Sequence, residues 1–529
     1  MSSDKKQTFM KGALILVIAN LIVKVIGAAF KIPLTYLLDE EGMALFSTSY
    51  TMYTWLFIVA TAGIPVAISR MISEARAKGN HNEVKRIFSV SRKLLAFIGI
   101  AGTLILYLGA GAFARLLKNP DAELGIKAIS PAVLFVAFMS AYRGYFQGHQ
   151  DMFPTAFSEV SEAIGKLVIG YLGAYFMIKT SVAHGAAGAV FGVAMGGLLG
   201  FLTLFIVYSI KRKKSAGERS VGLVRSNGTI LKELIRIAVP ITIGASVFSL
   251  TTLIDTAMIM HNLQSSGFSY EEAKHLYGSY TGYAVPLFNL PPTLISAITI
   301  SLVPAVSAAL ADGDSKLARH TAGNSISITT LFALPCAVGM AILSEPILSL
   351  VYNNTNAANT LSVLSYAIVF VSLVMVTNAI LQSVGKERIP VVNMLIGGVV
   401  KIAVNGFLVK NPDINIVGAP IGTIACYVVI LALNMFFIIK ELRLKLPVMQ
   451  YIIKPLAAVA LMAVSVILVY RILPLGDKLN LVISIIAGAA VYGSALILFG
   501  ALSEQLLASI PGMNRLIPIL KKFRLLKSE

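Results

Sequence analysis

Long stretches without a formal charge alternate with short polar segments along this chain. Gly42–Ser69, Leu276–Ala311, Pro346–Gly385, Ile414–Ile439 and Leu479–Ser503 carry no Asp, Glu, Lys or Arg. Each exceeds the roughly 20 residues a helix needs to cross a hydrocarbon core of about 30 Å. With the less pure stretches included, the pattern predicts 14 spanning helices, at 10–38, 43–70, 86–117, 123–148, 154–178, 182–211, 229–262, 277–311, 316–344, 346–384, 388–410, 415–441, 449–473 and 479–505. The alternating segments of about 10 residues that mark a membrane β-barrel are absent. The predicted class is an all-α polytopic membrane protein. The first apolar segment outruns a signal h-region and lacks an A-x-A-like site, so it reads as a spanning helix.

Of the 529 residues, 57% are hydrophobic and 13% charged, about half the charge of a soluble domain. The net charge of +19 would suit a nucleic-acid binder. Most of the 44 basic residues, however, fall on one set of alternate loops and tails. Loops on the other side are short and richer in acid, such as Asp39-Glu40-Glu41 and Glu271-Glu272. That is the positive-inside pattern. It accounts for the basicity without nucleic acid and places both termini in the cytoplasm. Cys336 and Cys426 lie in apolar helices and imply neither disulfide nor metal site. Trp55 reads as core or lipid-facing.

The longest connection is a basic, glycine-containing linker at 213–228. It separates an N-terminal lobe of helices 1–6 (1–212) from a lobe of helices 7–12 (229–445). Helices 13–14 and a basic tail follow (446–529). The two lobes show weak self-similarity. Ile64-Pro65-Val66-Ala67 corresponds to Val303-Pro304-Ala305-Val306, and Gln147 with Lys166 corresponds to Gln382 with Lys401. Two like-oriented six-helix halves are one transporter plan, with cargo near the midplane.

Four lysines lie inside predicted spans: Lys24, Lys31, Lys166 and Lys401. A charge at the bilayer centre costs at least about 2.5–3.5 kcal/mol and marks a functional site by default. All four being cationic points to an anionic cargo. Lys24 and Lys31, seven residues apart, share a helix face. Lys24 is mid-helix, whereas Lys31 either lines the cavity or snorkels to an interface. Lys166 follows Glu162 by four residues, so it pairs with Glu162, meets the cargo, or exchanges one for the other. Asp255 in helix 7 either neutralises Lys401 or forms a Na⁺ or H⁺ site with Asn405. Arg70 and Arg143 are surface anchors or grip a headgroup at the inner entrance. Pro286, Pro291, Pro292 and Pro304 predict a bent or broken helix 8. There is no Walker A sequence, no metal-ligand cluster and no catalytic triad, so no cofactor is expected.

Several of these segments carry a family resemblance. Leu21-Ile22-Val23-Lys24-Val25-Ile26-Gly27 resembles the first helix of the MurJ-like lipid II flippases. Gly63-Ile64-Pro65-Val66-Ala67-Ile68-Ser69, Glu74 to Gly79, Arg143-Gly144-Tyr145-Phe146-Gln147-Gly148 with Pro154, and Ser301-Leu302-Val303-Pro304 are similar to the polysaccharide-transport branch of the multidrug/oligosaccharidyl-lipid/polysaccharide exporter superfamily. That branch also holds stage V sporulation protein B. The resemblance spans essentially the whole chain. It implies a V-shaped, two-lobed fold with a cationic cavity, moving undecaprenyl-pyrophosphate-linked sugars outward. Lys24 and Lys31 would stand at the family's two basic positions of helix 1, and helices 13 and 14 would form a groove for the polyprenyl tail. Asp255 and Asn405 would match a Na⁺ site of some members. The basic residue of the family's helix 2 has no counterpart near Met52, and its charged pair in helix 8 is missing around Pro286–Asn289.

The expected function is therefore a flippase for lipid II or a related lipid-linked saccharide, not an enzyme. It would sit in the bacterial plasma membrane, driven by membrane potential or an ion gradient. Lys24, Lys31, Lys166, Arg70 and Arg143 are its expected substrate residues. Its expected partners are the anionic saccharide lipid and membrane lipids, and it would act as a monomer. A drug/cation antiporter of the same superfamily would want acids in the cavity, and a non-transporting scaffold would have no use for buried charge.

Overall fold

The structure is a computed structural model and describes residues 3–214, 223–444, 447 and 449–501. Helices joined by turns and short irregular links make it up; no strand occurs among the described residues. The last part of the predicted helix 14, the basic tail, part of the 213–228 linker and residues 445, 446 and 448 lie outside them.

The first helix, α1 (Ser3–Thr61), is two helices joined at Asp39, whose φ of 51° and ψ of −165° break the helical geometry. At that ψ the residue lies outside the left-handed helical well, in a positive-φ region seldom occupied by residues other than glycine. The break falls at the acidic triplet, where the sequence predicts it. α2 (Ile64–Ala77) starts after Gly63 with Pro65 in its first turn. The single helix predicted over 43–70 is thus interrupted. Proline lacks the amide that would continue the ladder and belongs at a helix start. The next predicted spans are likewise subdivided. α3 (His81–Leu108) and α4 (Ala110–Leu116) make up the third, and α5 (Glu123–Ile129) and α6 (Pro131–Gly148) the fourth. α7 (Phe153–Met177), α8 (Val182–Lys214) and α9 (Asn227–Ser265) follow as single rods.

The proline-rich segment is broken as predicted. α10 (Tyr270–Ser279) passes through a π-helical stretch, Tyr280–Ala284, into the single turn α11 (Val285–Phe288) and then α12 (Leu290–Ala311). α13 (Ser315–Ile342) comes next. The helix predicted over 346–384 is two: α14 (Ser344–Tyr352) and α15 (Ala358–Ser383). Asn353 ends the first in a left-handed cap at φ 50°, a turn that charge counting does not register. α16 (Arg388–Leu408), α17 (Gly418–Leu442), α18 (Lys454–Ile472) and α19 (Asp477–Leu498) complete the described chain.

Ten helical segments among the described residues are long and apolar enough to span a membrane, and one of them, Ile18–Ile58, has 41 residues, the length of two passes. α7 and α9 are not among the ten. The chain is an all-α, multi-pass membrane protein.

Two compact units divide at Gly282, so α9 and α10 belong with α1–α8. In the first unit α7 and α8 lie backbone to backbone. A Cβ on Gly192 would fall 2.1 Å from the Cα of Gly170. Small residues at such spacing let membrane helices approach closely. That contact consumes one face of α7 and turns Glu159, Glu162 and Lys166 toward α1 and α6. In the second unit, Asn434 of α17 accepts from Asn393 of α16 at 2.8 Å. Its own amide donates to Asn378 (2.7 Å) and Thr377 (2.9 Å) of α15. Three helices are keyed together by buried amides inside an apolar unit.

Candidate functional site

The charged residues of the first unit gather where α1, α6 and α7 meet. Lys166 on α7 points across to α1. Its ammonium lies 4.6 Å from the ring centroid of Tyr50 and 5.4 Å from that of Phe30. Phe46 links the two rings, stacked on Tyr50 at 5.8 Å and tilted against Phe30 at 6.0 Å. Lys31, half-buried on α1, is close enough to Lys166 for the two cations to repel. Lys24, on the same face of α1, is exposed. Among the described residues none of these three lysines forms an ion pair.

Glu162 does not pair with Lys166. It binds Arg143 of α6 at 2.9 Å, and Arg143 also donates to Ser158 Oγ at 3.3 Å. The i, i+4 spacing suggests the Lys166 partner, but α6 brings a guanidinium that offers a second donor to Ser158. Arg143 is thus part of the buried network, with 16% of its side chain exposed. Beside it, one carboxylate oxygen of Glu159 is buried with no hydrogen bond. Arg70 is exposed at the polar end of α2, where it and Lys78 both act on Glu74. Four cations, Lys24, Lys31, Lys166 and Arg143, stand against the two carboxylates of α7.

At one end of this unit is a second charge cluster, which the sequence reading passed over. Lys274 of α10 is only 1% exposed. Its ammonium donates to Glu41 at 2.8 Å and Asp121 at 3.4 Å, pairs with Glu271 at 2.8 Å, and lies 5.0 Å from the Tyr270 ring. Burial lowers the lysine's pKa, but the bonds to Glu271 and Glu41 outweigh it and hold it above the ordinary 10.5. Tyr270, desolvated and beside Asp121, has its phenol held well above 10. His275 approaches Glu40 at 3.4 Å. Backbone contact is equally close, since a Cβ on Gly278 would meet the Glu40 carbonyl oxygen at 1.7 Å. At another junction of the unit, Arg225 binds both Glu83 of α3 and Glu233 of α9. Arg86 donates to Asn227 at 2.7 Å.

Asp255 is buried on α9, in the first unit. Lys401 and Asn405 lie on α16, in the second. Asn405 is fully buried against α17, where a Cβ on Gly422 would meet its amide oxygen at 1.9 Å.

Several cavities are lined by described residues of the second unit. An apolar groove of about 460 Å³ runs between α13, α18 and α19, lined by residues such as Leu331, Pro335, Met462, Ile485 and Gly488. A polar pocket of about 670 Å³ adjoins it at Leu343. A smaller one, about 360 Å³, is lined by Thr299, Asn378 and Gln382 among others.

Residues 9–310 match the family model described as polysaccharide biosynthesis protein, and residues 279–407 match MatE. Stage V sporulation protein B of Bacillus subtilis (strain 168) is 25% identical over 518 residues, covering 97% of this chain and 99% of its own. Lipid II flippase MurJ of the same organism is 27% identical over 543 residues, covering 96% and 98%. A solved structure of lipid II flippase MurJ in an inward closed conformation superposes with a TM-score of 0.68 at 15% identity. It covers 92% of this chain and 98% of its own.

Proposed function

This chain is a member of the polysaccharide biosynthesis protein family, in the multidrug/oligosaccharidyl-lipid/polysaccharide exporter superfamily, and on that premise we propose that it is a flippase for undecaprenyl-pyrophosphate-linked saccharide. The cargo is lipid II or a related wall or surface polysaccharide precursor, carried from the inner to the outer leaflet by alternating access. The carrying observation is the set of unpaired lysines. Lys24, Lys31 and Lys166 lie in or beside membrane spans with no carboxylate on any of them, and two of them repel. Each unpaired charge in a span costs about 2.5–3.5 kcal/mol at midplane depth. A pyrophosphate relieves that cost in the bound state.

The aromatic box makes Lys166 suited to exchange. Cation–π contacts contribute about 0.5–2 kcal/mol each. That is enough to place the ammonium between cargo arrivals, and less than a charge-assisted bond to a phosphate oxygen offers in the same setting. Lys24 and Lys31 meet the same anion from one face of α1. Arg143, already held by Glu162, gives the floor of the site its fixed geometry. Fourteen spans, with both termini cytoplasmic, complete the reading. ATP is not needed. One charge crossing 100 mV is worth about 2.3 kcal/mol, so a cargo bearing two negative charges gains roughly 4–5 kcal/mol moving outward.

Purified protein in nanodiscs should bind undecaprenyl pyrophosphate, and Lys166→Ala and Lys31→Ala should each weaken it about tenfold, near 1.4 kcal/mol. Energy-linked efflux of lipophilic cations with no pyrophosphate binding would overturn the reading in favour of a drug antiporter.

A further inference from the structure

We propose that the polar pocket of the second unit binds the headgroup of an amine-bearing phospholipid, one of whose chains lies in the adjoining apolar groove. Ser344, Glu345, Asn359, Tyr470, Arg471 and Asp477 line this pocket of about 670 Å³, a volume within the range of small-molecule sites. Its position is set by helix ends. α13 finishes at Ile342, α14 starts at Ser344, α15 at Ala358 and α19 at Asp477, and α18 finishes at Ile472. Four of these five helices are candidate membrane spans. The pocket therefore sits at headgroup depth, where tyrosine side chains such as Tyr470 concentrate. On the topology read from the basic loops, that depth is in the outer leaflet.

Its charges are turned toward a ligand. Glu345, Arg471 and Asp477 line one cavity, yet among the described residues none of their side chains makes a hydrogen bond or an ion pair. One guanidinium and two carboxylates match a phosphate joined to an ammonium, since arginine grips phosphate bidentately and carboxylates accept from the amine. An anionic lipid would meet two like charges and one opposite, and a pyrophosphate would fare worse. Leu343 lines both the pocket and the 460 Å³ groove, so the two form one amphipathic site. This site is separate from the lysines of α1 and α7, and the inference does not depend on the cargo they carry.

Native mass spectrometry of the full chain, released from membranes of equal phosphatidylethanolamine and phosphatidylglycerol with added undecaprenyl phosphate, tests it. Phosphatidylethanolamine should be retained over phosphatidylglycerol by about tenfold, near 1.4 kcal/mol. The paired substitution Glu345→Gln and Asp477→Asn should erase that preference while leaving total retained lipid similar. Arg471→Ala should lower retention of both phospholipids. Gly493 borders the groove, and a Cβ there meets nothing within 4 Å, so Gly493→Leu should expel the chain without disturbing the fold. A variant-free measurement stands beside these: phosphatidylethanolamine should raise the melting temperature of the wild type, and soluble glycerophosphoethanolamine should not. Equal retention of the two phospholipids, an unchanged preference in the paired variant, or loss of undecaprenyl phosphate rather than phospholipid in Gly493→Leu would overturn the proposal.

Discussion

Lys166 is held by the rings of Tyr50 and Phe30, while the carboxylate one turn before it on α7 is committed to Arg143. The two interactions should respond differently to mutation. Removing one member of a partly buried pair strands the other charge. Glu162→Gln or Arg143→Ala alone should lower stability by about 1–3 kcal/mol, scaled down from fully buried pairs because both side chains keep some exposure. The double variant should cost less than the sum of the two. Melting temperatures across this cycle give the coupling directly. Lys166→Met should be close to neutral for stability, since it exchanges a cation–π contact for a sulfur–aromatic one, yet should weaken cargo binding. A stability loss as large as that of Glu162→Gln would show that Lys166 is structural. The position of Lys166 was legible in the sequence from the cost of charge in a span. Its surroundings were not, because Phe30 and Tyr50 are 136 and 116 residues away along the chain, and only the folding of α1 onto α7 brings them there. Local spacing suggested Glu162, and a long-range donor prevailed.

Glycine contacts fix the elements that carry these residues. Gly192→Ala would press a methyl into the Gly170 backbone at 2.1 Å, so α7 and α8 must separate. The expected loss is about 2–3 kcal/mol, with weaker cargo binding as α7 shifts, and thermal melting of the purified protein measures it. Lys274 ties α10 to the bend of α1 and to the short helical turn Pro120–Ala122. Its pKa is raised, so its stabilising contribution is complete below 10.5 and is lost as pH rises through the higher folded value. Lys274→Met should cost about 2–4 kcal/mol at neutral pH. The gap in melting temperature between wild type and this variant should hold up to pH 10.5 and narrow above it. A gap that instead closes at neutral pH would remove the cluster's electrostatic role. Element by element, charge-free runs and prolines marked most spans and the broken segment around Tyr280–Ala284. They did not mark the breaks at Asn353 and Gly63, because a left-handed cap and a proline start leave apolar composition unchanged. Glu41, Asp121 and Glu271 each read as ordinary loop acids, and only their convergence on Lys274 gives them a role.

For the whole molecule, the drive proposed above predicts a voltage dependence. Outward movement of an undecaprenyl-pyrophosphate cargo in proteoliposomes should speed up as a valinomycin clamp makes the interior negative, by up to the roughly 4–5 kcal/mol available at 100 mV. Rates indifferent to the clamp would sink the potential as driving force and leave the cation wall needing another use. The first compact unit also runs past the basic connection, to Gly282. Arg225, just before α9, bridges Glu83 of α3 and Glu233 of α9, and Lys274 fastens α10 to α1. Covalent continuity between α8 and α9 is then dispensable for holding the unit together. Expressed from two genes as 1–214 and 223–529, the halves should insert, reassociate and co-purify through a tag on either one. Lys274→Met combined with Arg225→Ala should make them separate. Such a split protein would give each half its own start codon and its own label, an opening for measurements that an unbroken chain does not allow.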